Sequence, residues 1–228
     1  MRDLIPGPLF DSLQQYLVNH GNHAESGWEA GSAEEDTITG HLGAELQRDW
    51  SRSVRFDGER WRWRVRYKKF RGRGPGAFEA IAGADGIIQV EVTRSEASVS
   101  YYKGVLFQAK KNDIRHDRRL IEQVQKMEDL ANGCSAVFEY RSDGYRAVAG
   151  RPFLEELGTR AVFGRERLQP LGSFLGTVFL PCDAGTRGLY YDGVRRLLLL
   201  PTEQGEVRAI RVEVGHRIAI EVESRALI

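Results

Sequence analysis

Between Arg60 and Lys68 the chain reads RWRWRVRYK, and basic and apolar residues alternate without a break. Side chains of an extended chain point to opposite faces with a period of two, whereas a helix returns to the same face after three or four residues. The stretch is therefore a half-buried strand. Arg60, Arg62, Arg64, Arg66 and Lys68 lie on one face, and Trp61, Trp63, Val65 and Tyr67 on the other. A row of cations can neutralise successive phosphates, each arginine fork matching two oxygens. A charged strand can also serve to discourage edge pairing. Arginine in preference to lysine, and one uniform sign, favour a nucleic-acid face carried by Arg62, Arg64, Arg66 and Lys68. The following KKFRGRGPGAFEA extends the basic run with Arg71 and Arg73. Its glycines and Pro75 mark either a clamp over a nucleic-acid backbone or a plain long connection. They do not sit between a strand and a helix, so no mononucleotide phosphate loop is read here.

A hairpin follows. GADGIIQVEV and VSYYKGVLFQAKKN flank the polar stretch TRSEAS, and both arms are rich in β-branched and aromatic residues. Ile88, Val90 and Val92 share a face, which leaves Asp85 on the opposite one with Ile87, Gln89 and Glu91. On the second arm Gln108 and Lys110 share a face, while Val105, Phe107 and Ala109 point the other way. A carboxylate, an amide and an ammonium on paired strands could converge on one small volume, as a site for a divalent metal and a phosphate requires.

The flanking stretches have helical periods. Leu9, Leu13, Tyr16 and Leu17 predict an amphipathic helix beginning near Pro8. HGNHAESGWEAG reads as a loop, whose His20 and His23 lack a third ligand and are expected to be solvated. Ser32 with Glu35 three residues on predicts a capping box. The helix it opens buries Ile38, Leu42 and Leu46, with Trp50 extending that face. Glu35 is thus a cap, an inward-pointing acid, or both; Glu34 is the alternate. After the hairpin, Leu120, Val124, Met127 and Ala131 make the buried face of a further helix that Asn132-Gly133 ends. Gln123 and Lys126 either face the same groove as Lys110 or form a solvated polar face, the second being favoured, and Glu79, six residues before Asp85, is near enough in sequence to reach the site. CSAVFEY, a turn at Asp143-Gly144, and YRAVAG complete a strand pair.

GADG, a strand, a turn and FQAKK resemble the PD-(D/E)xK nucleases of restriction-endonuclease-like fold, in the variant with Gln before x-Lys. Ala84 stands where the family name has proline. The order from Ser32 to Tyr140 (helix, three strands, helix, strand) is that of the family's core. The resemblance covers roughly half the chain and implies an α/β (α+β) fold with a nuclease core over residues 1–150. Residues 151–228 read as a β-rich extension packed on it, in which RPFLEELGTRAVFG is a helix and turn and LGSFLGTVFLPC, GLYYDGVRRLLLLP, EVRAIRVEV and RIAIEVES are strands. The resemblance also implies a site. Asp85 is the central metal ligand, Gln108 a neutral ligand in place of an acid, Glu35 the helix acid, and Lys110 the residue set against the phosphate. Lys111 points to the other face. The implied cofactor is Mg2+, with Mn2+ as a substitute. The implied activity is metal-dependent DNA endonuclease cleavage in restriction or antiphage defence, by a homodimer or with a defence-system partner protein. The alternative is a catalytically inactive nucleic-acid-binding module of the same fold.

Composition fits this frame without selecting it. The chain of 228 residues is long enough for a real core, and its net charge of +1 does not mark a nucleic-acid binder. Cys134 and Cys182 are far apart, form no CxxC and follow no signal peptide, so unpaired thiols in a reducing cytoplasm are expected. Cys134 enters a buried strand and reads as core. No Ser/His/Asp or Cys/His arrangement stands out, and no apolar run approaches membrane-spanning length.

Overall fold

The computed structural model describes residues 1–70, 78–94, 99–111, 114–115, 117–159, 162–181, 183–201, 207–211 and 220–221. It is a mixed α+β fold with a β-rich C-terminal part. The main sheet runs β1 (Val54–Phe56), β2 (Glu59–Lys69), β3 (Gly86–Arg94), β4 (Val99–Lys111), β5 (Ser135–Arg141), β6 (Gly144–Ala149) and β7 (Gln169–Pro170) in spatial as in chain order. β8 (Thr186–Arg187) pairs with β4. All neighbours are antiparallel except β4 and β5, whose parallel pairing needs a crossover, supplied by helix α5 (Arg118–Leu130).

The alternation in β2 holds. Trp61, Trp63 and Val65 are buried, and they share the inner face with Ile88, Val90, Val92, Val105, Phe107 and Ala109. Helices α1 (Gly7–His23), α3 (Glu35–Leu46) and α7 (Leu171–Phe174) cover this face. On the reverse face Ile87, Leu106 and Val137 meet Leu120, Val124 and Met127 of α5, and Phe153 of α6 (Gly150–Thr159). A second sheet of β9 (Tyr190–Asp192), β10 (Leu197–Pro201), β11 (Val207–Arg211) and β12 (Ile220–Glu221) adds Leu198, Leu200 and Ile210 to that second core. The backbone of Tyr191 clasps the Gln89 side chain from both sides, donating to Oε1 at 2.7 Å and accepting from Nε2 at 3.4 Å.

Several elements depart from the expectations. The loop expected over residues 20–31 is the end of α1, a 3₁₀ turn (Ala24–Gly27) and the short helix α2 (Trp28–Gly31). His20 and His23 flank Glu45, with His23 Nδ1 3.0 Å from Glu45 Oε2. No capping box forms at Ser32: α3 starts at Glu35 after an extended Glu34, and no side chain caps it. The helix stops at Leu46, so Trp50 does not extend its face. Trp50 instead lies beneath the guanidinium groups of Arg62 and Arg64, each 4.3 Å from its ring. β1 was not foreseen, although Asp57-Gly58, both with positive φ, form the tight turn that joins it to β2.

Within LGSFLGTVFLPC, helix α7 passes into a π-helical turn over Leu175–Phe179 where a strand is expected. Leu171, Phe174, Leu175 and Phe179 are spaced three and four apart and all enter the inner core against α1, an arrangement that strand geometry would split between two faces. The other C-terminal strands form as expected where they are described, in a layer of their own. Cys134 is buried and unpaired, and burial pushes its thiol upward. Cys182 lies outside the described residues. Among these, no helix is long and apolar enough to cross a membrane.

Candidate active site

At the carboxyl end of β4 the chain places four of the sequence-selected residues around one point. The backbone of Asp85 is fixed on both sides, its N–H donating to Phe107 O at 2.8 Å and its carbonyl accepting from Phe70 N at 2.7 Å. Its side chain then has little freedom. Oδ2 accepts from Gln108 Nε2 at 2.7 Å and from the Ala109 N–H at 2.8 Å. Gln108 is 1% exposed, and its Oε1 is buried with no hydrogen-bond partner among the described residues. Lys110 follows on the same face, half-buried, and makes no hydrogen bond or ion pair with a described residue.

Glu35 reaches this place from the other layer. It stands at the first position of α3, and its Oε2 accepts from the Lys111 N–H at 2.7 Å. Glu34 is exposed beside it, and no hydrogen bond or ion pair joins its side chain to a described residue. The side chain of Lys111 turns towards the ring of Trp28, 5.9 Å away, on the face away from Lys110.

Burial raises the Asp85 carboxyl to about 7; the Ala109 N–H opposes the rise, the carboxylates of Glu79 and Glu35 add to it, and Lys110 draws it back. Two further acids and one ammonium therefore lie within electrostatic reach of Asp85. The hydroxyl of Tyr67 is pushed upward by burial and by the charges of Asp85 and Asp36, and it donates to Thr39 O at 3.0 Å. Tyr140, fully buried, has its hydroxyl raised for the same principal reason, with Tyr67 and Asp85 contributing.

Helix α4 (Phe78–Ala82) explains how Glu79 arrives here. Gln123 Nε2 donates to Glu79 Oε1 at 3.2 Å, Arg119 stands 3.7 Å from the same oxygen, and Lys126 Nζ donates to Ala80 O at 3.2 Å. Gly83, at φ +71°, lets the chain pass so close to α5 that a Cβ there would lie 2.2 Å from Gln123 O. Gln123 is thus buried, not solvated as the helical pattern alone suggested; Lys126 is exposed. Sequence proximity was the only signal for Glu79, helical spacing allowed Gln123 to face the groove of Lys110, and no signal pointed to Tyr67 or Tyr140 as neighbours of the site.

A scan of family models and searches of curated proteins and of solved structures find no match to this chain. The functional reading therefore rests on this geometry.

Among the described residues no three His, Cys, Asp or Glu side chains group to hold a metal ion. The oxygen set at Asp85 differs from such a group in having an amide where a third carboxylate would be. A buried acceptor without a donor, Gln108 Oε1, next to a buried carboxyl is a vacancy in hydrogen bonding that an oxygen-seeking cation would fill. Asp85 and Gln108 fit that role directly. Glu35 Oε2 is committed to the Lys111 N–H.

The basic row of β2 lies on the same face as Gln108 and Lys110. Arg64 is bound to Glu91 at 2.5 Å, and Arg62 donates to Thr93 Oγ1 at 3.3 Å, so both are tied to β3. Arg66 and Lys68 are exposed and free of ion pairs with described residues; Lys68 Nζ stands 5.7 Å from the ring of Tyr191. Arg71 and Arg73 lie outside the described residues.

Proposed function

We propose that the protein is a metal-dependent nuclease of the PD-(D/E)xK type, with restriction-endonuclease-like chemistry, that hydrolyses phosphodiester bonds of DNA. The observation that carries this reading is the meeting of Asp85, Gln108 and Lys110 at the end of β4: an enclosed oxygen pair beside an ammonium that has no hydrogen-bond or ion-pair partner among the described residues. Asp85 and Gln108, with Glu35 through water, would hold Mg2+, or Mn2+ as its substitute. When bound, such an ion acidifies a coordinated water and offsets charge on the phosphate.

The chain's own groups supply the rest. Lys110 Nζ donates to a non-bridging phosphate oxygen and stabilises the charge that grows there as water adds to phosphorus and the ester oxygen departs. The Gln108 amide fixes the Asp85 carboxylate in one orientation. Arg66 and Lys68, on the same face, would contact the nucleic-acid backbone. Restriction or antiphage defence, with a second copy or a defence partner, is the setting this activity would serve.

The amide at position 108, and the lack of a three-carboxylate group among the described residues, keep one second reading open: a binding module of this fold without cleavage. Plasmid cleavage with Mg2+, without metal, and with Lys110→Ala and Asp85→Ala separates the two. The nuclease reading expects metal-dependent nicking or linearisation that falls by about 10²-fold or more in folded variants. Undiminished cleavage by a folded Asp85→Ala protein overturns the assignment. Salt-sensitive DNA binding with no cleavage at any metal concentration selects the binding module.

A further inference from the structure

On β5, one strand away from the candidate active site, the side chain of Glu139 is enclosed, with 1% of it exposed. The parallel register pairs Glu139 directly with Lys110, and residues paired across a sheet turn their side chains to one face, here the face of Gln108. Neighbouring strands lie about 4.8 Å apart, a gap that a lysine side chain spans with length to spare. The antiparallel register with β6 sets Arg146 on the other side of Glu139.

One oxygen of this carboxylate is accounted for. Oε2 accepts from Arg165 Nε at 3.3 Å, and Arg165 also holds Asp143 at 3.2 Å. Oε1 is buried with no hydrogen-bond partner among the described residues. Arg146 does not take it, and its own Nε is likewise buried without a partner. A carboxylate held in the interior with one oxygen unused is costly and calls for a donor.

Lys110 is the complementary case, a half-buried ammonium that makes no hydrogen bond or ion pair with a described residue. Its charge acts on Asp85, where it opposes the rise of that carboxyl. Once Asp85 is neutralised or bound to a cation that pull is gone, and Glu139 Oε1, next along the sheet, is an open acceptor of opposite charge. An ammonium has three donors, so it can give one to Glu139 and keep two for a phosphate.

We propose that Glu139 is a positioning residue for Lys110, its Oε1 accepting from the Lys110 ammonium and holding it towards the attacked phosphate. The role in cleavage rests on the nuclease reading; the ion pair does not. Two measurements therefore test them separately. The first is ¹H–¹⁵N NMR of the lysine ammonium groups of the full chain, without metal, in Asp85→Asn, where an amide replaces the competing acid. An ammonium held by an enclosed carboxylate exchanges slowly with water and gives a cross-peak, which Lys110→Arg identifies by removing it. Expected is a Lys110 cross-peak that is lost when Glu139→Gln or Glu139→Leu is added. Leucine removes the acceptor outright, and glutamine keeps the shape of the site should the leucine variant fail to fold. Absence of a Lys110 cross-peak overturns the proposal, as does one that survives in the folded Glu139 variants. The second is plasmid cleavage with Mg2+ by the parent and by Glu139→Gln, in which kcat is expected to fall about tenfold or more while KM stays within about twofold. An unchanged kcat in folded Glu139→Gln overturns the positioning role. A parent that cleaves nothing overturns that role together with the nuclease reading, while the NMR result still decides the ion pair.

Discussion

Burial of the Asp85 carboxyl disfavours its charged form, and the nearby Glu79 and Glu35 carboxylates do so further. Without a cation, folded Asp85 keeps its proton up to about pH 7, while the unfolded chain releases it near 3.8. Between those values the folded state binds more protons, so stability falls as pH rises, by up to about 1.4 kcal/mol per pH unit. Denaturant titrations of metal-free protein should show this slope, and Asp85→Asn should flatten it. A slope unchanged in Asp85→Asn would mean that another group carries it. The arginine row divides in the same way, residue by residue. Arg64→Ala leaves Glu91, whose side chain is only 6% exposed, without its ion-pair partner and with only the Tyr102 hydroxyl donating to it, and should cost about 2 kcal/mol or more of stability. Arg66→Ala and Lys68→Ala should leave stability nearly unchanged, weaken DNA binding, and each reduce the salt slope of binding by about 1. DNA affinity indifferent to both would remove this face from the interface.

At the scale of elements, the site depends on how α4 and the turn after it dock on α5. Gly83→Ala puts a Cβ against the Gln123 carbonyl at a backbone angle that L-residues rarely adopt. It should destabilise by about 2 kcal/mol or more and displace Asp85 with it. Gly40 gives the opposite sign. It lies exposed within α3 with nothing near enough for a Cβ to meet, so Gly40→Ala should stabilise by roughly 0.5–1 kcal/mol. Thermal and denaturant unfolding of the two variants checks both; two shifts of the same sign would contradict the geometry. The site draws α3 from one layer and α4 from the other, so neither layer alone could assemble it.

Across the whole molecule, the C-terminal part is interleaved with the rest: β8 joins β4, α7 packs on α1, and the second sheet closes over Gln89 and α5. Much of this was legible in the chain. The strict period in β2, the two arms of the hairpin, and the heptad-like spacing in α1 and α5 each place their apolar residues on one face, because local geometry alone sets that periodicity. The placement of Asp85, Gln108 and Lys110 near one another follows from the same period once the hairpin register is given. Spacing could not choose between a capping and an inward-pointing Glu35, since both use the same helix position; no cap forms, and the Glu35 carboxylate accepts from the Lys111 N–H across 76 residues of chain. Nor could it distinguish a strand from a helix in LGSFLGTVFLPC, where a short apolar run satisfies either period until α1 is there to receive it. The pairing of Arg64 with Glu91, the burial of Gln123 and the placing of Glu139 beside Lys110 belong to the tertiary structure alone, because each joins side chains whose sequence separation carries no local signal.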